Sequence, residues 1–272
     1  MDEANPGLNI AVLVKHVPDT QFDRHLDGDH YTTERSESIL SELDEYALEA
    51  ALQLVEAQGG DGHRVTAVTM GPTAAVNAVK KALQIGAHEG VHLNDDALAG
   101  SDASGTSRAL AAVVRHLGEI DLVITGMAST DGETSLVPAQ LAELLELPQV
   151  TFASSLELTD DDGGRRLTAR RESDNVAETV ESALPAVVSV TDQINEPRYP
   201  NFKGIMAAKK KPITTLSLAD IGLDASEVGL TGAWTRVEQA QPRPPRSQGV
   251  VITDEGDAGR RLVDFLAEQK LL

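Results

Sequence analysis

Cysteine is absent from the 272-residue chain. That excludes disulfides, thiolate metal sites, iron–sulfur clusters and cysteine nucleophiles. Aromatic residues make up only 3 %, so the core has to be built from Val, Leu, Ile and Ala. Basic residues are scarce, 23 against 43 acidic ones, which leaves a net charge of −20. Such a charge argues against nucleic acid or an anionic membrane as the main partner, although an acidic surface also serves solubility alone. No apolar run approaches the roughly 20 residues of a membrane span. The opening MDEANPGLNI carries acids where a signal peptide needs bases, so a cytoplasmic location is expected. Common fingerprints are missing too: no G-x-G-x-x-G follows the first strand, and neither G-x-x-x-x-G-K-[ST] nor G-x-S-x-G occurs. His88 and His92 are four apart, but Gly90 and the strand-like GVHL around them spoil a helical metal face.

What is present is an alternation of strand and helix. LNIAVLVKHV reads as a buried strand, with Ile10, Val12 and Val14 on one face and Leu13 on the other. Residues 18–36 are polar and turn-rich. Ser41 then suits an N-cap, with Asp44 three residues on as in a capping box. Leu43, Tyr46, Ala47, Ala50, Ala51, Leu54 and Val55 follow at helical spacing until Gly59-Gly60. RVTAVTM, GVHL and DLVITG are the next strands. TAAVNAVKKALQI, ASGTSRALAAVVRHL and a segment entered near Pro138 are the next helices. The expected fold is α/β: a doubly wound, mostly parallel, Rossmann-like sheet. After Pro148 the rhythm changes. QVTFASSLEL, RRLTARRES and AETVESALPAVVSVT predict an antiparallel edge meander and one more core strand. From about residue 216 regular pattern fades, EQAQPRPPRSQGV is linker-like, and AGRRLVDFLAEQKLL fits a last amphipathic helix. The expected division is a domain over 1–223 and an extended C-terminal arm over 224–272, which has little to pack on locally.

Open α/β sheets bind ligands at the carboxyl ends of their strands. Three loops qualify here. They lie after Leu13, at TMGPTAA with Met70 and Gly71, and at GMASTDGETSLVP, which is rich in small and hydroxyl residues before a helix. Backbone N–H groups at such a helix start bind phosphate. Asp131 and Glu133 oppose a dense anion there, although acids also suit a helix N-terminus, and ordinary capping would use the same residues.

The stretch NEPRYPNFKGIMAAKKKPI, Asn195 to Ile213, places Pro197, Tyr199, Pro200, Phe202, Ile205 and Met206 in what reads as an exposed loop. A rigidly presented aromatic is a docking anchor; alternatively Phe202 folds back into the core. Lys209, Lys210 and Lys211 form either a solvated run or pairs with an acidic partner or with the protein's own carboxylates.

VLVKHVPDT, DEYALEAAL, AVTMGP with KALQIGA, and above all NEPRYPNFKGIMAAKKKPI are similar to electron transfer flavoprotein beta subunits, and the resemblance runs to about residue 223. It implies a heterodimer with an alpha subunit, which carries most of a redox FAD at the interface. It also implies an AMP of structural role in the beta subunit. The AMP pocket would use Leu13, Ser41, Glu42, Leu43, Asp44, Met70, Gly71 and the loop Ser129, Thr130, Asp131, Gly132, Glu133, Thr134, Ser135, Leu136, Val137 to Gln140. Phe202 falls on the anchor position of a recognition loop that grips acyl-CoA and related dehydrogenases. Electrons then pass toward a membrane quinone oxidoreductase, and the beta subunit is a carrier component rather than an enzyme. Two features depart from the mitochondrial type: Thr20 where that type has a Tyr near the flavin, and STDGETSLVP in place of acids followed by amides. A bifurcating branch holds a second FAD instead of AMP and shares the core Asp131-Gly132-Glu133-Thr134. Bulky Leu136 and Val137 favour AMP here. Readings of another class are a stand-alone adenine-nucleotide-binding stress-type protein, a hydrolase on the same sheet, or a scaffold without nucleotide. The first two would need neither the tail nor the NEPRYP stretch.

Overall fold

The computed structural model describes residues 7–28, 31–59, 61–161, 164–241, 244–245 and 249–272. Gly60, parts of the TDDDGG turn and parts of the linker over 238–250 lie outside the described residues. The elements are β1 (Asn9–Leu13), short strands β2 (His16–Pro18), β3 (Leu26–Asp27), β4 (Thr32–Thr33) and β5 (Ser38–Leu40), then α1 (Glu42–Gln58). There follow β6 (Arg64–Met70), α2 (Val76–Ile85), β7 (Glu89–Leu93), α3 (Ala103–Leu117), β8 (Leu122–Gly126) and α4 (Val137–Leu145). The second half holds β9 (Gln149–Asp161), β10 (Gly164–Ser173), β11 (Val176–Ala183), β12 (Ala186–Val190), α5 (Phe202–Ala208), β13 (Ile213–Leu216), α6 (Gly229–Gly232) and α7 (Ala258–Glu268).

One nine-stranded sheet runs in the order β11-β10-β9-β12-β8-β1-β6-β7-β13. From β9 to β13 every neighbouring pair is parallel. β10 joins antiparallel to β9 and β11 antiparallel to β10. The expected doubly wound sheet with an antiparallel edge is therefore what forms, with β9 belonging to both parts. Burial on both faces explains the apolar runs: every residue of β8 and β12 is buried. One core lies under α1 and α2, and a second under α3 and α4 on the opposite face.

The winding decides where a crevice opens. The chain steps from β1 to β6 to β7, then crosses back to lay β8 on the other side of β1. The connections leaving β1 and β8 therefore diverge, and the gap between them is the topological switch point.

Residues up to Glu238 form one compact unit and the remainder a second. The first unit runs past the boundary at 223 because the chain stays tied down there. The Gly229 N–H donates to Ser101 Oγ at 2.8 Å, and the Asp102 carboxylate accepts from the N–H groups of Trp234 and Thr235 at 2.8 and 2.9 Å. Among the described residues no helix is long and apolar enough to cross a membrane.

Candidate functional site

At the switch point β1 ends at Leu13 and β8 at Gly126, and the start of α1 lies across both. Lys15 N–H donates to Asp44 Oδ2 at 2.7 Å, and Ser41 N–H donates to the Lys15 carbonyl at 3.0 Å. The Gly126 backbone lies against the same carboxylate, and its N–H helps to hold the Asp44 pKa down. A Cβ at residue 126 would stand 2.7 Å from Asp44 Oδ1 and 2.8 Å from the Leu43 carbonyl oxygen. Only glycine lets the helix start sit this close to the strand. The expected capping box is not made. Ser41 occupies the N-cap position without a side-chain cap bond, and its N–H goes to the Lys15 carbonyl while the Asp44 carboxylate takes the Lys15 N–H.

This arrangement leaves three hydroxyl groups buried without a partner: Ser41 Oγ, Thr130 Oγ1 and, one residue before Met70, Thr69 Oγ1. Each such group costs about 1–3 kcal/mol when left unmade. They sit at the start of α1, in the loop after β8 and at the end of β6, the three places where sequence reading put the pocket. Leu13 is buried beside them; Leu43, Met70 and Gly71 are half-buried, and Glu42 is exposed. Thr73 caps nothing: Pro72 precedes the short 3₁₀ turn Thr73–Ala75 that leads into α2.

The loop from Ser129 to Leu136 is tightly made. Ser129 Oγ accepts from Gly132 N–H and from Lys15 Nζ, both at 3.2 Å. Glu133 and Ser135 have φ of 51° and 52°, and Leu136 returns to the right-handed region. Left-handed backbone costs a non-glycine residue about 1–2 kcal/mol. The N–H groups of Gly132, Glu133 and Leu136 are taken up inside the loop, by Ser129 Oγ, the Ser129 carbonyl and Thr134 Oγ1. Gly132, Glu133, Thr134 and Leu136 are exposed. Val137 instead packs on the core of the α3–α4 face, so it takes no room from the crevice; of the two bulky residues only Leu136 stands at the turn.

Two carboxylates here are driven in opposite directions. Burial raises the Asp44 pKa to about 7, although N–H groups from Lys15 and Gly126 oppose the rise. Burial would raise Asp131 as well, since its side chain is only 4 % exposed. The Lys15 ammonium at 2.7 Å and the Arg35 guanidinium at 2.6 Å outweigh that and hold it at about 2. Lys15 and Arg35, which sequence reading did not single out, thus neutralise the acid that had counted against an anion. Arg35 NH1 also donates to the His16 carbonyl at 2.7 Å.

Of the docking candidates, Phe202, Ile205 and Met206 lie on a helix, α5, while Pro197 and Tyr199 precede it in irregular chain. Asn201 accepts from Gly204 N–H at 2.8 Å and so caps α5; an Asn just before an apolar segment was the legible signal. Tyr199 is 92 % and Phe202 79 % exposed, Ile205 and Met206 are exposed, and Pro197 is half-buried. Phe202 therefore does not enter the core. Lys211 Nζ donates to the carbonyls of Leu83, Gly86 and Ala87 at the end of α2, while Lys209 and Lys210 are exposed. His88 Nδ1 accepts from Val65 N–H, and His92 Nε2 meets the Gly71 carbonyl. Among the described residues no group of side chains could hold a metal ion.

Fold and site define a doubly wound α/β protein with unpartnered buried hydroxyls around its switch point and a separate exposed apolar helix. The electron transfer flavoprotein domain profile matches residues 30–221. The electron transfer flavoprotein subunit beta of Mycobacterium leprae is 46 % identical over 268 residues, covering 97 % of this chain and 99 % of that protein. The same subunit of Megasphaera elsdenii is 32 % identical, covering 96 % and 97 %. The caffeyl-CoA reductase–Etf complex subunit CarD of Acetobacterium woodii is 33 % identical, covering 97 % and 100 %. The chain belongs to the electron transfer flavoprotein family as a beta subunit, an electron-carrier component whose designation implies an alpha partner.

The raised pKa of Asp44 makes a signed prediction. The folded protein keeps a proton that the unfolded chain releases, so stability is full below 3.8 and falls as pH rises toward about 7. The loss is at most about 4 kcal/mol. The depressed Asp131 acts in the other window, losing its contribution as pH falls from 3.8 toward about 2. Urea unfolding between those upper limits should show wild type weakening with pH while Asp44→Asn stays nearly flat; equal slopes would remove Asp44 as the cause.

Proposed function

We propose that this chain is the beta half of an electron transfer flavoprotein that carries electrons from acyl-CoA and related flavin dehydrogenases toward a quinone oxidoreductase. The redox chemistry is that of an FAD held mainly by the alpha subunit and shared at the interface. In this reading the beta chain contributes no catalytic residue. It holds an adenylate, braces the flavin-bearing partner and presents a docking surface, and it works in the cytoplasm.

The observation that carries the nucleotide assignment is the set of unpartnered buried hydroxyls around the switch point. Their chemistry fits an AMP. Ser41 and Thr130 offer hydroxyls, and Lys15 and Arg35 balance Asp131. Leu13, Leu43, Met70 and Gly71 would wall the base and sugar, with Glu42 at the rim. Exposed Leu136 favours the small adenylate over a second FAD. The relation to CarD keeps the bifurcating alternative in view, because that protein's name places it in a reductase–Etf complex.

The arm from 224 on is proposed to reach the alpha subunit. α7 repeats Leu262, Phe265 and Leu266 at helical spacing, an apolar stripe that one short helix does not bury by itself.

Nucleotide released from the purified heterodimer should be one FAD and one AMP. Ser41→Ala and Thr130→Ala should lower AMP content severalfold and leave FAD in place. Two FAD per heterodimer would overturn the AMP assignment. For docking, Phe202→Ala should leave folding and flavin content intact and slow reduction by donor dehydrogenases; unchanged rates with several donors would refute the anchor role.

A further inference from the structure

The segment that carries Tyr199 and leads into α5 has no sheet pairing of its own; side chains hold it to α1. Arg198 Nε donates to Glu49 Oε2 at 2.7 Å and Arg198 NH2 to Glu49 Oε1 at 3.0 Å. NH1 and NH2 also donate to Glu56 Oε1 and Oε2 at 2.6 and 2.9 Å. The guanidinium therefore forks two carboxylates that stand two helical turns apart on α1. Its own backbone N–H adds a bond to Glu49 Oε2 at 3.3 Å. Asn195 Nδ2 donates to the Tyr46 carbonyl at 3.0 Å on the same stripe, and Gln53 Nε2 supports Glu49 at 2.9 Å.

Surface ion pairs usually contribute little. This one differs because the Glu49 side chain is only 5 % exposed, its geometry is bidentate, and two further hydrogen bonds, from the Arg198 N–H and Gln53 Nε2, satisfy it. Burial would raise the Glu49 pKa, and the bonds from Arg198 outweigh burial and lower it. At the far end of the segment, Lys211 holds the chain to α2, and a Cβ on Gly204 would come within 2.7 Å of the Gln84 carbonyl oxygen, so α5 lies directly on α2. Phe202 is thus suspended between two fixings. The near one is Arg198, whose guanidinium makes four hydrogen bonds to Glu49 and Glu56.

We infer that Arg198 is a positioning residue for partner docking: by clamping residues 195–201 to α1 it fixes the orientation of Tyr199 and Phe202 before a partner arrives. This rests on the docking reading given above. A preordered anchor loses less conformational freedom on binding, so loss of the clamp should weaken encounter while leaving the flavin unchanged.

The test uses the purified heterodimer and a donor dehydrogenase. Arg198→Ala should lower the second-order rate about tenfold, with the rate at saturating donor, the flavin content and the flavin potential unchanged. Amide exchange over 195–208 should quicken, and Arg198→Lys, which keeps the charge but loses the forks, should fall between. Phe202→Ala, measured alongside, separates the two ideas. If Phe202→Ala slows transfer while Arg198→Ala and Arg198→Lys do not, despite faster exchange, the positioning role is overturned and docking stands. If Phe202→Ala has no effect, docking fails and this inference falls with it. Should Arg198→Ala leave too little folded protein because Glu49 is stranded, Arg198→Lys is judged by the same criteria.

Discussion

Asp44 is the joint on which the rest depends. Its carboxylate accepts the Lys15 N–H just past the end of β1 and lies against Gly126 at the end of β8. Those strands flank the switch point, so the contact seats the first turn of α1 on both of them. The Ser41 hydroxyl, which makes no cap bond, is buried without a partner beside that contact.

From that joint α1 extends as a beam. Its N-terminus borders the crevice, and the stripe Tyr46, Glu49, Gln53 and Glu56 carries the chain that leads to Phe202. Ser41 to Glu56 spans roughly 22 Å at 1.5 Å per residue. One helix therefore sets the distance between the switch point and the segment that leads into α5. It also answers why an acidic chain concentrates bases between Asn195 and Ile213. Arg198 and Lys211 are internal fastenings, to α1 carboxylates and to α2 carbonyls, and only Lys203, Lys209 and Lys210 face outward.

The alternation of strands and helices was readable because each element is long enough to show its period: α3 over Ala103–Leu117 and β6 over Arg64–Met70 match their sequence patterns residue for residue. The three loops of the crevice were readable from strand ends and hydroxyl content. Local chemistry misled where a long-range bond outcompeted it. Asp44 forsook the capping box for strands, and Arg35 and Lys15 reached Asp131 across 96 and 116 residues. Arg198 met Glu49 across 149. No pattern in a single sequence announces such pairs. The helix at Phe202 was hidden differently: its Gly and flanking prolines read as loop, and contact with α2 overrode that propensity.

A crystal structure of the purified heterodimer is the most direct measurement. An adenylate between the carboxyl ends of β1 and β8, with the hydroxyls of Ser41 and Thr130 engaged and the Asp44 joint intact, is the predicted result. An adenylate bound elsewhere, with those hydroxyls bonded only to protein or solvent, would contradict it.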